Sequence, residues 1–130
     1  MILMVIISGI MMSATVNKAE KPSEMAKLMK QMLAYIQDEK QLIAENKPAS
    51  RFTVDAQEMS KAKITKGKKL AENHKEYVSH FFDDLERYYQ TKDSSERRIS
   101  FNTMVNSCIK CHLHECPGPI TVIKKNLLDN

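Results

Sequence analysis

The segment LAENHKEYVSHFFDDLERYY, residues 70–89, is apolar along one side and polar along the other. Its apolar residues recur every three or four positions, which is the period of an α-helix. They are Leu70, Tyr77, Val78, Phe81, Phe82, Leu85, Tyr88 and Tyr89. The spacing predicts a helix over about 68–91, and its aromatic content makes that helix a central part of the core.

Two segments before this helix also have helical spacing. Apolar residues recur at helical intervals over about 22–46, and Pro48 excludes the residue before it from the helical region. We therefore expect a first helix there. A short second helix is expected over about 54–64, where Asp55 and Glu58 have the spacing of a capping box.

The last long helix is predicted to begin at Asp93 or Ser94 and to end before Pro117, because a proline disfavours the helical region for its predecessor. A short amphipathic tail follows over residues 120–128. The chain has 3 Gly and no Trp, and it is rich in Ala, Lys, Glu, Met and Leu. This composition favours helices over sheets. Three long helices and one short helix predict an all-α fold, an antiparallel four-helix bundle with a short second helix.

The N-terminal segment MILMVIISGIMMSA, residues 1–14, is almost entirely apolar. A membrane-spanning helix needs roughly 20 apolar residues, so this run is too short to cross a bilayer. Its length matches the apolar region of a secretory signal, although no Lys or Arg precedes it. We expect a signal peptide over residues 1–19, cleaved at about 14–19, and a mature domain over residues 20–130 that is periplasmic or otherwise exported. The alternative is a buried N-terminal strand or helix.

The formal net charge of +4 comes from 20 basic and 16 acidic residues. The basic residues form no long run interleaved with aromatic residues, which argues against nucleic-acid binding. Five lysines are expected around the end of the last helix if the predicted bundle forms: Lys27, Lys30, Lys110, Lys124 and Lys125. They either attract an acidic redox partner protein or simply keep the protein soluble.

Cys108, Ile109, Lys110, Cys111 and His112 form the pattern C-x-x-C-H near the end of the last helix. Positions three apart share one face of a helix, so both sulfurs can bond to one edge of a porphyrin. The imidazole of His112 can then reach the iron. The pattern is typical of c-type haem attachment, and it predicts one covalent haem c on a C-terminal haem-binding helix.

Two other kinds of site use the same residues. A tetrahedral zinc site has five candidate ligands here: Cys108, Cys111, His112, His114 and Cys116. Structural zinc sites usually draw their ligands from two separated pairs, and one continuous helix does not easily surround an ion. A thioredoxin-type dithiol needs C-x-x-C at a helix N-terminus after a strand, whereas this pair lies late in a helix.

A C-x-x-C-H motif near the C-terminus of the last of four helices resembles the cytochrome c prime family, the class II c-type cytochromes. The resemblance covers residues 20–128, and its specific part is the haem motif. It implies that Cys108 and Cys111 form thioethers and that His112 is the proximal iron ligand. It also implies that a residue of the first helix covers the other haem face. The segment LHECP, residues 113–117, replaces the commoner basic or aromatic continuation of the family.

In an antiparallel bundle the last turns of helix four lie beside the first turns of helix one. Four residues of helix one are then candidates for the position opposite His112: Met25, Leu28, Met29 and Met32. A methionine there gives six-coordinate iron, which raises the reduction potential and suits electron transfer. Met29 is the preferred distal ligand because its depth in the bundle matches that of His112, with Met25 and Met32 as alternatives. Leu28 would instead leave five-coordinate iron that binds small gases such as nitric oxide, and each methionine is otherwise a core residue.

The other histidines and the third cysteine are weaker candidates. His74 and His80 are interpreted as ordinary residues of helix three, and Cys116 as a small buried thiol. The alternatives for Cys116 are a disulfide between the two chains of a homodimer, or neither of these roles. No acid–base pair or nucleophile constellation suggests an enzyme. The sequence therefore predicts periplasmic electron transfer by a monohaem cytochrome, with a gas-binding haem protein and a structural zinc module as alternatives.

Overall fold

The computed structural model describes residues 21–129, and in this range it has five helices and no strand. They are α1 (Glu24–Ala44), α2 (Ala56–Lys61), α3 (His74–Gln90), α4 (Ser94–Glu115) and α5 (Ile120–Lys124). The all-α prediction is therefore confirmed. The expected signal peptide, residues 1–19, lies outside the described residues. None of the helices in the described range is long and apolar enough to cross a membrane.

Local capping sets the ends of the long helices. The Ser23 hydroxyl starts α1 by accepting a hydrogen bond from a backbone N–H of the first turn, because side-chain oxygens at this position satisfy donors that the helix leaves free. Asp93 starts α4 in the same way, with Glu96 among its donors. At the other end, α4 stops at Glu115, shortly before Pro117. Both ends of α4 confirm the sequence-based prediction.

The start of α3 differs from the prediction. Helical spacing favoured a start near residue 68, but α3 begins at His74. The backbone N–H of Ala71 donates to the Glu115 carboxylate at 2.9 Å, so it is engaged by α4 before α3 begins. Gly67 adopts a left-handed φ of 80° in the turn before this segment. A turn and a contact with α4 therefore occupy the segment where the first turns of α3 were predicted. Helix α2 is also shorter than its predicted 54–64.

The core lies between α3 and α4, which form the most extensive helix contact in the described range. Tyr88 of α3 is completely buried, and so are Phe101, Met104 and Val105 of α4. Ile36 of α1 belongs to the same apolar cluster. Because α4 also contacts α1 and α5, it is the central helix of the fold.

A buried carboxylate connects three helices at one end of the molecule. Glu39, late in α1, is fully buried and accepts hydrogen bonds from the Tyr88 hydroxyl at 2.6 Å and the Ser50 backbone N–H at 2.8 Å. The guanidinium of Arg97, early in α4, lies 3.9 Å from the same carboxylate. Burial raises the pKa of Tyr88 above its usual value. The start of α1, the start of α3 and the end of α4 instead border a cavity.

Candidate functional site

A cavity of about 630 Å³ opens between the start of α1, the segment 64–70, the end of α4 and α5. Its volume falls within the roughly 300–1,000 Å³ that ligand and cofactor sites usually have. Seven apolar residues form much of its wall: Met25, Met29, Leu33, Ile64, Leu70, Val122 and Ile123. An apolar wall with a few polar groups is the usual character of a small-molecule site.

His112 lies on this cavity with its ring held in one orientation. It is 7% exposed, and its Nδ1–H donates to the backbone carbonyl of Cys116 at 3.0 Å. Helix α4 ends between these two residues, which turns the carbonyl toward the ring. A hydrogen bond from one ring nitrogen to a carbonyl fixes the tautomer and leaves the other nitrogen to bind a metal. The Nε2 atom of His112 is therefore left free to bind a metal ion.

The two cysteines of the motif differ in position. Cys111 lies on the cavity wall beside His112. Cys108 is 5% exposed in the core, where its Sγ lies 3.8 Å from the Met32 Sδ and 3.6 Å from the Met104 carbonyl. Burial raises the pKa of both thiols to about 12, and the Glu115 carboxylate adds to this effect at Cys111. Both sulfurs are therefore neutral thiols at physiological pH.

No known protein family, curated protein or solved structure matches this chain. The candidate site is therefore interpreted from its own residues. It combines an anchored imidazole, a thiol and thioether side chains around one apolar cavity.

Only two of the four candidates for the position opposite His112 line the cavity. Met25 and Met29 of α1 both line it together with His112. Met32 is buried in the core against Cys108. Leu28 is also buried, and it borders a different groove near α2. The described structure therefore brings two of the three methionines to the same cavity as the imidazole, and Met29 is one of them.

Lysines also border the cavity, but they differ from the predicted set. Lys30 was predicted and lines the cavity, whereas Lys27 borders the groove near α2. Lys68 and Lys69 line it as well, and all three cavity lysines are exposed. Sequence reasoning missed Lys68 and Lys69 because it assigned them to the start of a helix. The cavity therefore has positive charge at its solvent side.

His74 and Glu115 are further polar residues of the cavity, and sequence reasoning missed both. The His74 Nδ1–H donates to the Glu115 carboxylate at 3.0 Å, and their side chains are 9% and 8% exposed. Among the described residues, the His74 Nε2 is the one buried side-chain nitrogen or oxygen without a hydrogen-bond partner. The available signal was that Glu115 follows Cys111 by four positions, which places both on one face of α4. His74 gave no such signal, because it lies on another helix.

The prediction that Cys116 is a buried thiol is wrong. Cys116 follows the end of α4 in an extended conformation, and its side chain is exposed. His114 is also exposed, and its ring stacks on Tyr77 with a centroid distance of 5.2 Å. His80 lies on the exposed face of α3. Of the five residues considered for zinc, Cys111, His112 and Cys116 line the cavity, whereas Cys108 lies in the core and His114 on Tyr77.

Proposed function

We propose that this protein is a monohaem c-type cytochrome of the cytochrome c prime type, which transfers electrons outside the cytoplasm. In this proposal Cys108 and Cys111 bind haem c covalently, His112 is the proximal iron ligand and Met29 is the distal ligand. The proposal rests on one observation: His112, whose Nδ1 is hydrogen-bonded to the Cys116 carbonyl, lines the same apolar cavity as Cys111 and Met29. Residues 1–19 would direct export and then be removed, and N-terminal sequencing of the exported protein tests that part.

The donor set of the cavity fits a covalently held haem. The Cys111 thiol would add across one vinyl group, forming the C–S bond and passing its hydrogen to the neighbouring carbon. The Cys108 sulfur lies one helical turn earlier, and its side chain must turn away from Met32 to do the same. An imidazole, a thioether and apolar walls suit a six-coordinate haem c.

Several residues of the cavity have a definite role in this proposal. Haem c, when bound, supplies an iron that changes its oxidation state by one electron. The Cys116 carbonyl orients the His112 ring through the Nδ1–H hydrogen bond. The thioether of Met29 favours the reduced state and so raises the reduction potential. Apolar residues such as Leu33 and Ile123 exclude water from the site.

The proposal includes the antiparallel arrangement of a four-helix bundle with α2 as the short member. It is supported by contacts at both ends of the helices. The start of α1 and the end of α4 border the same cavity, whereas Glu39, late in α1, lies beside Arg97, early in α4. His74, early in α3, is paired with Glu115, late in α4. These contacts support opposite directions for both pairs of helices.

Replacing Met29 with leucine tests the distal ligand. We expect the ferric wild-type protein to have an absorption band near the far-red end of the visible spectrum, which arises from sulfur-to-iron charge transfer. Met29→Leu should abolish this band because it removes the thioether while conserving volume. The control is Met32→Leu, which changes a methionine in the core and should leave the band intact. Persistence of the band in Met29→Leu would assign the ligand to Met25 instead. A wild-type protein that lacks the band and binds carbon monoxide would support the gas-binding alternative.

The cavity lysines should accelerate electron exchange with negatively charged partners. We expect the rate of oxidation by ferricyanide to fall as ionic strength rises, because salt screens charges beyond about 10 Å at 0.1 M. Lys69→Glu should lower the rate several-fold at low ionic strength and weaken its dependence on salt. Lys92→Glu makes the same charge change at an exposed site between α3 and α4 and is the control. Equal effects of the two substitutions would reject steering at the cavity.

A further inference from the structure

We infer that His74, Cys111 and Glu115 form a binding site for one divalent transition-metal ion, with Zn²⁺ as the favoured ion, in the chain whose cysteines are free thiols. This site differs from the zinc site considered from the sequence, which used Cys108, His112, His114 and Cys116 together with Cys111. In the proposed function the Cys111 sulfur is bonded to haem, so the metal site concerns the chain before any haem is attached, and the two cannot use Cys111 at the same time.

The geometry brings three ligand atoms together from two helices. One ligand atom from each of His74, Cys111 and Glu115 lies within 4.8 Å of the others. A tetrahedral ion with bonds of about 2.0–2.3 Å holds its ligand atoms roughly 3.5 Å apart. The three side chains therefore need to close by about an ångström around an ion, which rotation about their side-chain bonds can supply. Glu115 also has to exchange its hydrogen bond from His74 for the bond to the ion. The fourth position of the ion would face the cavity that all three residues line.

The second observation is the unsatisfied nitrogen of His74. This side chain is buried and lines the cavity, and its Nε2 has no partner among the described residues. Leaving a buried polar atom unpaired costs about 1–3 kcal/mol, so such atoms in folded proteins usually have a partner such as a water or an ion. A bound metal ion would be such a partner for the His74 imidazole.

The charges and the ligand types fit a divalent ion. A thiolate from Cys111 and a carboxylate from Glu115 together neutralise a 2+ ion, and the imidazole of His74 adds no charge. Neutrality matters because an unpaired charge is costly at a site where the side chains of His74 and Glu115 are less than 10% exposed. One nitrogen, one sulfur and one oxygen ligand suit Zn²⁺, which accepts all three. On binding, the ion replaces the thiol proton, which is released to solvent.

The test measures Zn²⁺ binding to the full chain, produced without haem and kept reduced, by competition with a chromophoric chelator. We expect one equivalent of Zn²⁺ to bind to the wild-type chain. Cys111→Ser and His74→Ala should each weaken binding at least about tenfold, since loss of even an outer partner of a metal ligand typically costs 10–100-fold. Co²⁺ provides a second readout, because a sulfur-to-cobalt charge-transfer band should appear in the wild-type chain and be absent from Cys111→Ser.

Two further variants separate this site from the one considered from the sequence. His114→Ala and Cys116→Ser should bind Zn²⁺ like the wild-type chain, because neither side chain belongs to the inferred site. Equal helical circular dichroism of all variants shows that changes in affinity do not come from unfolding. The inference is overturned if the wild-type chain binds no Zn²⁺, or if His114→Ala or Cys116→Ser weakens binding as much as Cys111→Ser.

Discussion

Replacing Cys111 with serine should remove most of the covalently bound haem from the exported protein. Cys111 is the motif cysteine that lies on the cavity wall beside His112, whereas Cys108 is directed into the core. A serine hydroxyl does not form a thioether, and the remaining Cys108 sulfur is buried against Met32, so it should attach haem poorly by itself. The double variant Cys108→Ser/Cys111→Ser should retain none. The measurement is haem-dependent colour in the protein fraction after acid–acetone extraction, normalised to the amount of chain.

Cys116→Ser is the matched control for this experiment. It removes the third thiol of the same segment but keeps the backbone carbonyl that orients His112. We expect it to retain haem at the wild-type level. Haem retention by Cys111→Ser equal to that of the control would reject the proposed attachment. A colourless wild-type protein, expressed and exported with the full maturation apparatus, would reject the cytochrome assignment as a whole.

Replacing Glu39 with alanine should destabilise the fold by about 3–5 kcal/mol, the usual cost of removing one partner of a buried ion pair. The substitution leaves Arg97, whose side chain is 12% exposed, without its carboxylate. It also leaves the Tyr88 hydroxyl and the Ser50 N–H without their acceptor. Each unsatisfied group adds to the cost because water reaches this end of the core poorly. Urea unfolding followed by circular dichroism gives the change in free energy of unfolding.

Asp38→Ala is the control for Glu39, because Asp38 is the preceding residue of α1 and is exposed. Its effect should stay within about 0.5 kcal/mol, as is usual at surface positions. Glu39→Gln should cost less than Glu39→Ala, since an amide oxygen still accepts a hydrogen bond. A loss in Glu39→Ala no larger than in Asp38→Ala would show that the buried carboxylate does not hold the three helices together.

Helix positions could be predicted from the sequence wherever the deciding interaction is local. Asp93 caps α4 through donors within its own first turn, and Pro117 disfavours helical continuation through its immediate neighbour. The start of α3 could not be predicted in this way. Its spacing continued to residue 68, but the N–H of Ala71 is bound by Glu115, which lies 44 positions away. Such a contact leaves no trace in local periodicity.

The same distinction between local and long-range interactions applies to the candidate site. The order Cys108–Cys111–His112 gives two thiols and an imidazole on one stretch of helix, whatever the rest of the fold does. Which methionine accompanies His112 depends on how α1 is rotated and placed against α4. Only the packed structure assigns Met29 to the cavity and Met32 to the core.

The sequence by itself determined the chemical groups of the motif and the limits of most helices, because both depend on residues within a few positions of one another. Tertiary packing decided which of those groups meet. It turned Cys108 into the core, exposed Cys116 beyond the end of α4, and paired His74 with Glu115 across two helices. The physical reason is that burial and pairing depend on distances between helices, which local spacing does not specify.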